Sequence, residues 1–218
     1  MTKVAVILSG CGHLDGSEIR EAVLTLLYLD QHEAQVQIFA PNLMQQHAVN
    51  HVTGQEESQN RNIMNEAARI ARGKIASITT LDPKQFDALI LPGGYGVAKN
   101  LSDYAKRGKD CEVNPELSRI VRAFHEVRKP IGAICIAPVI IARILYQSEA
   151  TLTIGEDPAT AAVITALGCK HQVAKSHEVV VDNRHRIATC SAYMREDRLS
   201  NIARGIEALV GKVMDMAN

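Results

Sequence analysis

The chain has 218 residues, 46% of them hydrophobic and 22% charged, enough apolar side chain to bury a core and too little charge for a disordered polymer. Its 24 basic residues balance 24 acidic ones, and it has no Trp. This excludes the basic footprint that nucleic acid or an anionic membrane surface requires and weakens any base-stacking platform. No apolar run approaches the roughly 20 residues of a membrane-spanning helix, and Met1-Thr2-Lys3-Val4 opens without a signal-peptide pattern. Five cysteines without paired spacing argue against a disulfide framework and point to the reducing cytoplasm.

In chain order, Lys3 to Leu8 is a β-branched apolar run that stops at Gly10, the pattern of a strand buried on both faces. Ser17 offers a helix N-cap, and Ile19, Ala22, Val23, Leu26 and Leu27 then recur at helical spacing. Gln35 to Ala40 is a second strand ended by Pro41, and this β-α-β order predicts a right-handed crossover with parallel pairing. Residues 42–62 are polar and read as an irregular excursion. A helix follows from Ile63 to Arg72, then a short strand at Ile75 to Thr79 and a clearer one at Asp87 to Leu91. That strand runs into the loop Pro92 to Asn100.

Asn114-Pro115-Glu116 starts a helix that places Leu117, Ile120, Val121, Phe124 and Val127 on one stripe. Ile131 to Ile134 is a short buried strand, and another helix begins just after Cys135. Leu152 to Gly155 extends again, Asp157-Pro158 repeats the cap-and-proline device, and Gly168 ends that helix. Glu178–Val181 and Arg186–Thr189 flank a short turn as a hairpin. Arg198 to Met216 is a last amphipathic helix with Ile202, Ile206, Leu209, Val210 and Val213 along one side. No repeat or linker divides the chain, so residues 1–218 read as one doubly wound α/β domain.

In an open parallel sheet, ligands bind beyond the carboxyl ends of the strands. Strand direction brings the loop Ser9–Ser17, the loop Pro92–Asn100 and the turn at Cys135 to that edge. Cys135 lies in Ala133-Ile134-Cys135-Ile136-Ala137, between a buried strand and a helix. Small residues two before and two after let strand and helix approach through the sharp turn of a nucleophile elbow, and the helix N-terminus favours thiolate. An inert buried cysteine is the competing reading. The N–H groups of Gly94 and Ile136 are candidates to hold a developing oxyanion, with Gly93 beside them. Glu18, in the first turn of the first helix, either complements the helix dipole or serves as a general acid/base facing Cys135. Glu21, one turn later, is the rival candidate and reads as solvated. His13 reaches the same edge as a possible local acid/base. The eight histidines lack metal-ligand spacing, so no metal is expected. Cys11, Cys111, Cys169 and Cys190 read as packing or surface thiols.

The blocks Val6–Gly12, Asp15–Ile19, Leu91–Leu101 and Cys135–Pro138 occur in an order that resembles the ElbB-type glyoxalases, within the PfpI and class-I glutamine-amidotransferase-like superfamily. The likeness extends through Leu152–Gly155 and Thr189–Met194. It implies a flavodoxin-like three-layer sandwich with a mostly parallel sheet, a homodimer, a Cys135 nucleophile and an acidic partner at Glu18. It also implies conversion of glyoxal or methylglyoxal to glycolate or lactate without glutathione, metal or other cofactor, a lyase-type reaction, with protein deglycation as a side activity. Peptidase and amidotransferase relatives use a histidine for the Cys triad, in the peptidases often directly after the Cys; here that position is Ile136, which counts against amide hydrolysis. A non-catalytic redox or stress sensor working through oxidation of Cys135 is the alternative from another class.

Overall fold

The computed structural model describes the whole chain, Met1–Asn218. Its first half contains β1 (Lys3–Ile7), α1 (Ile19–Gln31), β2 (Gln35–Ala40), β3 (Ala48–Val49), β4 (Glu56–Glu57), α2 (Ile63–Ile70), β5 (Ile75–Ser77), β6 (Ala88–Leu91), α3 (Tyr95–Lys99) and α4 (Tyr104–Arg107). The second half adds α5 (Pro115–Glu126), β7 (Ile131–Ile134), α6 (Ala137–Ile144), β8 (Thr151–Leu152), α7 (Pro158–Ala166), β9 (Lys170–His171), β10 (Val180–Asp182), β11 (Ile187–Cys190) and α8 (Leu199–Ala217).

Seven strands form one sheet in the order β10-β11-β7-β6-β1-β2-β5. Every neighbouring pair is parallel except the β10–β11 hairpin, where Val180 faces Thr189. Alternation along β1 sends Val4 and Val6 to one face and Ala5 and Ile7 to the other, and both sets are buried. On the first face α1 and α8 lie against the sheet, with Ile202, Ile206, Leu209, Val210 and Val213 of α8 all inside. On the second face α5 packs through Leu117, Ile120, Val121 and Phe124, and α6 through Val139, Ile140 and Ile141. The result is the three-layer α/β sandwich expected from the β-α-β order, with a mostly parallel sheet.

Several local expectations are corrected. The N-cap of α1 is Glu18, not Ser17: the Glu18 carboxylate accepts the N–H of Glu21 at 2.7 Å. Ser17 turns inward instead, where its Oγ accepts the Ser9 N–H at 2.8 Å. Ile19, Val23 and Leu27 are 45%, 48% and 45% exposed, and the buried face of α1 runs through Glu21, Ala22, Thr25 and Leu29. Val127 is exposed at the end of α5. Residues 95–99, read as loop, close into the short helix α3 because Tyr95 and Gly96 are held by bonds to His13 and Gly16 carbonyls. The 42–62 excursion contains the antiparallel pair β3–β4 and is fastened to the Ser9–Ser17 loop, where buried Asp15 accepts the Val49 N–H at 2.8 Å.

Candidate active site

The carboxyl edge of the sheet gathers the three segments expected there. The Glu18 N–H donates to Gly93 O at 3.0 Å, Gly96 N–H to Gly16 O at 2.8 Å, and the Asn100 amide to Ser9 O and Asp15 O at 2.8 Å. Cys135 follows β7 directly and adopts a left-handed φ of 63°, uncommon for a residue with a side chain. Its N–H donates to Cys190 O at 2.9 Å, extending the β7–β11 ladder, while α6 begins two residues later. Buried Ala133 and Ala137 flank this turn, as the elbow requires.

Close approach of β6 to the elbow depends on Gly93. A Cβ there would lie 2.3 Å from the Cys135 Cβ and 2.7 Å from a Glu21 carboxylate oxygen, distances that no side chain tolerates. Gly94 has φ of 100°, and a Cβ on it would stand 2.3 Å from the Glu18 nitrogen. With both positions bare, the N–H groups of Gly94 and Ile136 point at the Cys135 sulfur.

The acid beside that sulfur is Glu21. Its side chain is fully buried and faces Cys135 across the bare Gly93 position. One carboxyl oxygen accepts the Gly93 N–H at 3.0 Å and the other accepts the Tyr193 N–H at 3.2 Å. Burial, then the charge of Glu18, push the Glu21 carboxyl up from 4.5 to about 8, against the pull of those hydrogen bonds. Below that pH it is a neutral acid. The Cys135 thiol is also raised well above its ordinary value, first by burial and then by the Glu21 charge, while the Gly94 and Ile136 N–H groups work in the opposite direction. Expecting the helix N-terminus to make Cys135 an easy thiolate overlooked this burial. With Glu21 protonated, the opposing charge is gone and the pair holds its protons together until the pH approaches about 8.

Glu18 is half-buried and lines the same cavity, but its carboxylate is the helix cap and bonds the Glu21 backbone. Reading Glu21 as solvated is therefore corrected, and contact with the thiol passes from Glu18 to Glu21. His13 is exposed and also lines the cavity, its ring edge-on to His51 with centroids 5.0 Å apart. Beyond these, the cavity of about 460 Å³ is walled by Tyr95, Tyr104, Asp157, Thr160, Tyr193 and Met194. None of these six was singled out as a site residue from the sequence. Tyr193 and Met194 stand in the Thr189–Met194 block that carried part of the family likeness. Asp157 and Thr160 were visible only as a helix cap and its first turn. The other four cysteines carry free thiols. Cys111, Cys169 and Cys190 are buried, and Cys11 is half-buried.

Residues 13–194 match the DJ-1/PfpI family. A human protein, glutamine amidotransferase-like class 1 domain-containing protein 3, mitochondrial, is 45% identical over 98% of this chain and 83% of its own length. The ES1 protein homolog, mitochondrial, of Rattus norvegicus is 43% identical over 98% of the chain and 84% of its own. Among solved structures, an isoprenoid biosynthesis protein with amidotransferase-like domain from Ehrlichia chaffeensis superposes with a TM-score of 0.94 at 42% identity over the whole of both chains. Drosophila melanogaster DJ-1beta, at 18% identity and a TM-score of 0.56 over 100% of this chain and 92% of its own, shares the fold. Both curated relatives are named as mitochondrial proteins, which overturns the cytoplasmic compartment read from cysteine usage. Free thiols report a reducing milieu, and that property does not single out one compartment. Profile, curated relatives, sheet order and cysteine elbow converge, and the chain belongs to the DJ-1/PfpI family.

Proposed function

We propose that the protein is a cofactor-independent glyoxalase in which Cys135 is the nucleophile and Glu21 the acid/base. The observation that carries this reading is the buried Glu21 carboxyl set beside the Cys135 thiol, with the Gly94 and Ile136 N–H groups on the same sulfur. The likeness to ElbB-type glyoxalases supports the choice of substrate. Sulfur adds to one carbonyl carbon of glyoxal, and the thiol proton passes through Glu21 to the carbonyl oxygen, giving a hemithioacetal. The Gly94 and Ile136 N–H groups stabilise the oxyanion that develops on the way. Glu21 in its ionised form, which it reaches as the pH approaches about 8, then takes the carbon-bound proton of that centre and returns it to the neighbouring carbon, while the hydroxyl proton moves to the neighbouring oxygen. The hydrogen shift leaves a thioester of glycolic acid. Water hydrolyses it, restoring the thiol and releasing glycolate, with no external oxidant.

One further point supports this choice. Ile136 in the position after the nucleophile offers no acid for an amide leaving group. The small substrate is accompanied in this proposal by a second copy of the chain, because Ile19, Val23 and Leu27 form an apolar stripe on α1 with no partner in the protomer. The test is glyoxal consumption with glycolate quantified, in the absence of glutathione and metal. Multiple turnovers are expected in the wild type and none in Cys135→Ser. Glu21→Gln is expected to lose about a hundredfold or more, and Glu18→Gln far less. Equal loss of glyoxal in wild type and Cys135→Ser would overturn the proposal.

A further inference from the structure

The walls of the cavity differ in charge from its floor. Among the side chains that line it, Glu18 and Asp157 are acids, and neither a Lys nor an Arg is present. The two acids come from different elements and are fixed in the same way. Glu18 caps α1 through the Glu21 N–H, and Asp157 caps α7 through the Thr160 N–H at 2.7 Å. Hydrogen bonds from Thr160 hold the Asp157 carboxyl below its ordinary value, so it is charged throughout the neutral range. Cations stand behind the walls without lining the cavity. Lys99 donates to Leu14 O and sits over the Tyr95 ring, Arg20 donates to the Tyr193 hydroxyl, lies over that ring and feels the charge of Glu18, and Arg195 pairs with Glu156. His13, exposed, is the one lining residue that can carry a positive charge.

The floor is the opposite. There the Gly94 and Ile136 N–H groups offer donors to a single anionic atom at Cys135. An aldehyde whose oxygen meets these donors must turn the rest of its structure toward the acidic walls. The cavity volume, about 460 Å³, falls in the range of sites that take ligands much larger than a two-carbon dialdehyde.

We propose that this cavity selects its electrophile by charge, accepting uncharged or amine-bearing aldehydes and rejecting those that carry a carboxylate or a phosphate. The selection deepens the reading of Cys135 as a nucleophile toward aldehydes and rests on it. Its source is Glu18 and Asp157, whose fields act on any charge carried by the substituent. Two fixed carboxylates acting in opposite senses on a cation and an anion separate their rates by about tenfold after salt screening.

The test uses methanethiosulfonate reagents, which transfer an alkylthio group to the sulfur and release methanesulfinate, in methyl, ammonioethyl and sulfonatoethyl forms. Modification of Cys135 is followed by mass spectrometry of its peptide, and each rate is divided by that of the same reagent with free 2-mercaptoethanol. The ammonium reagent is expected to outpace the sulfonate by about tenfold. In a Glu18→Gln, Asp157→Asn double variant, which keeps a capping side chain at both helices, the two are expected to agree within about twofold. A sulfonate reagent as fast as the ammonium one, or a gap that survives the double variant, would overturn the proposal. A second arm compares kcat/KM for phenylglyoxal and 4-carboxyphenylglyoxal in the wild type, both of which can complete the hydrogen shift, with equal values counting against selection. If no aldehyde is turned over at all, the glyoxalase reading fails while the reagent series still decides the charge selection.

Discussion

Glu21 ties the pH response of the fold to the site. In the unfolded chain its carboxyl loses a proton near 4.5, whereas in the folded protein it holds it to about 8. Between those values the folded state binds more protons, so its stability falls as pH rises through this window and is level on either side of it. The gap corresponds to about 5 kcal/mol at roughly 1.4 kcal/mol per pH unit, a large share of the 5–15 kcal/mol typical of domains. Glu21→Gln removes the titration while keeping the shape. Its amide turns NH₂ toward either the Gly93 or the Tyr193 N–H, which costs about 1–3 kcal/mol at every pH. Urea unfolding of both proteins at about pH 5 and about pH 9 isolates the Glu21–Cys135 pair, because titrations not coupled to Glu21 cancel in the difference. The difference is expected to swing toward the Gln variant by several kcal/mol, leaving it the less stable protein in acid and equal or more stable in base. A difference that stays constant within about 1 kcal/mol across that range would refute the claim that the fold keeps Glu21 protonated.

Gly93→Ala is expected to abolish glyoxal turnover while the protein still folds at reduced stability, since the new Cβ would land 2.3 Å from that of Cys135; turnover and circular dichroism on the same sample check both halves. Val23→Asp places a charge in the middle of the exposed α1 stripe, and sedimentation velocity is expected to shift from dimer to monomer. A wild type that already sediments as a monomer would remove the second copy from the proposal.

The sheet was legible because its strands carry their own evidence. Lys3–Leu8 and Ile131–Ile134 read as short buried runs, and the structure ends the first one residue earlier, at Ile7, and the second at Ile134. The elbow was legible for the same reason, since Ala, Cys and Ala at two-residue spacing between a strand and a proline-bearing helix start leave few alternatives. The orientation of α1 was not. Its apolar residues lie on two faces, and periodicity favours the one holding Ile19, Val23 and Leu27, which the structure leaves exposed. The buried face holds Glu21 and Thr25, polar residues whose partners arrive from sequence positions 93, 135 and 193. Local pattern carries no information about contacts made across 72 or 172 residues, so the acid next to the thiol was assigned one turn too early. The short helix α3 was missed for a related reason, its first N–H groups being satisfied by a distant loop and not by a cap of its own.

The left-handed backbone at residue 135 bears on how such a protein loses its chemistry. Glycine adopts that conformation without the Cβ penalty, and asparagine with less of it than most residues. Either substitution removes the thiol while leaving the turn as comfortable as before or more so. Selection on folding, abundance or heat resistance alone would therefore pull this position away from cysteine, and inactive descendants would be well-folded proteins with normal lifetimes in the cell. Nothing in their stability would betray them, and a survey of such proteins for activity has to read the identity of one residue before it measures anything else.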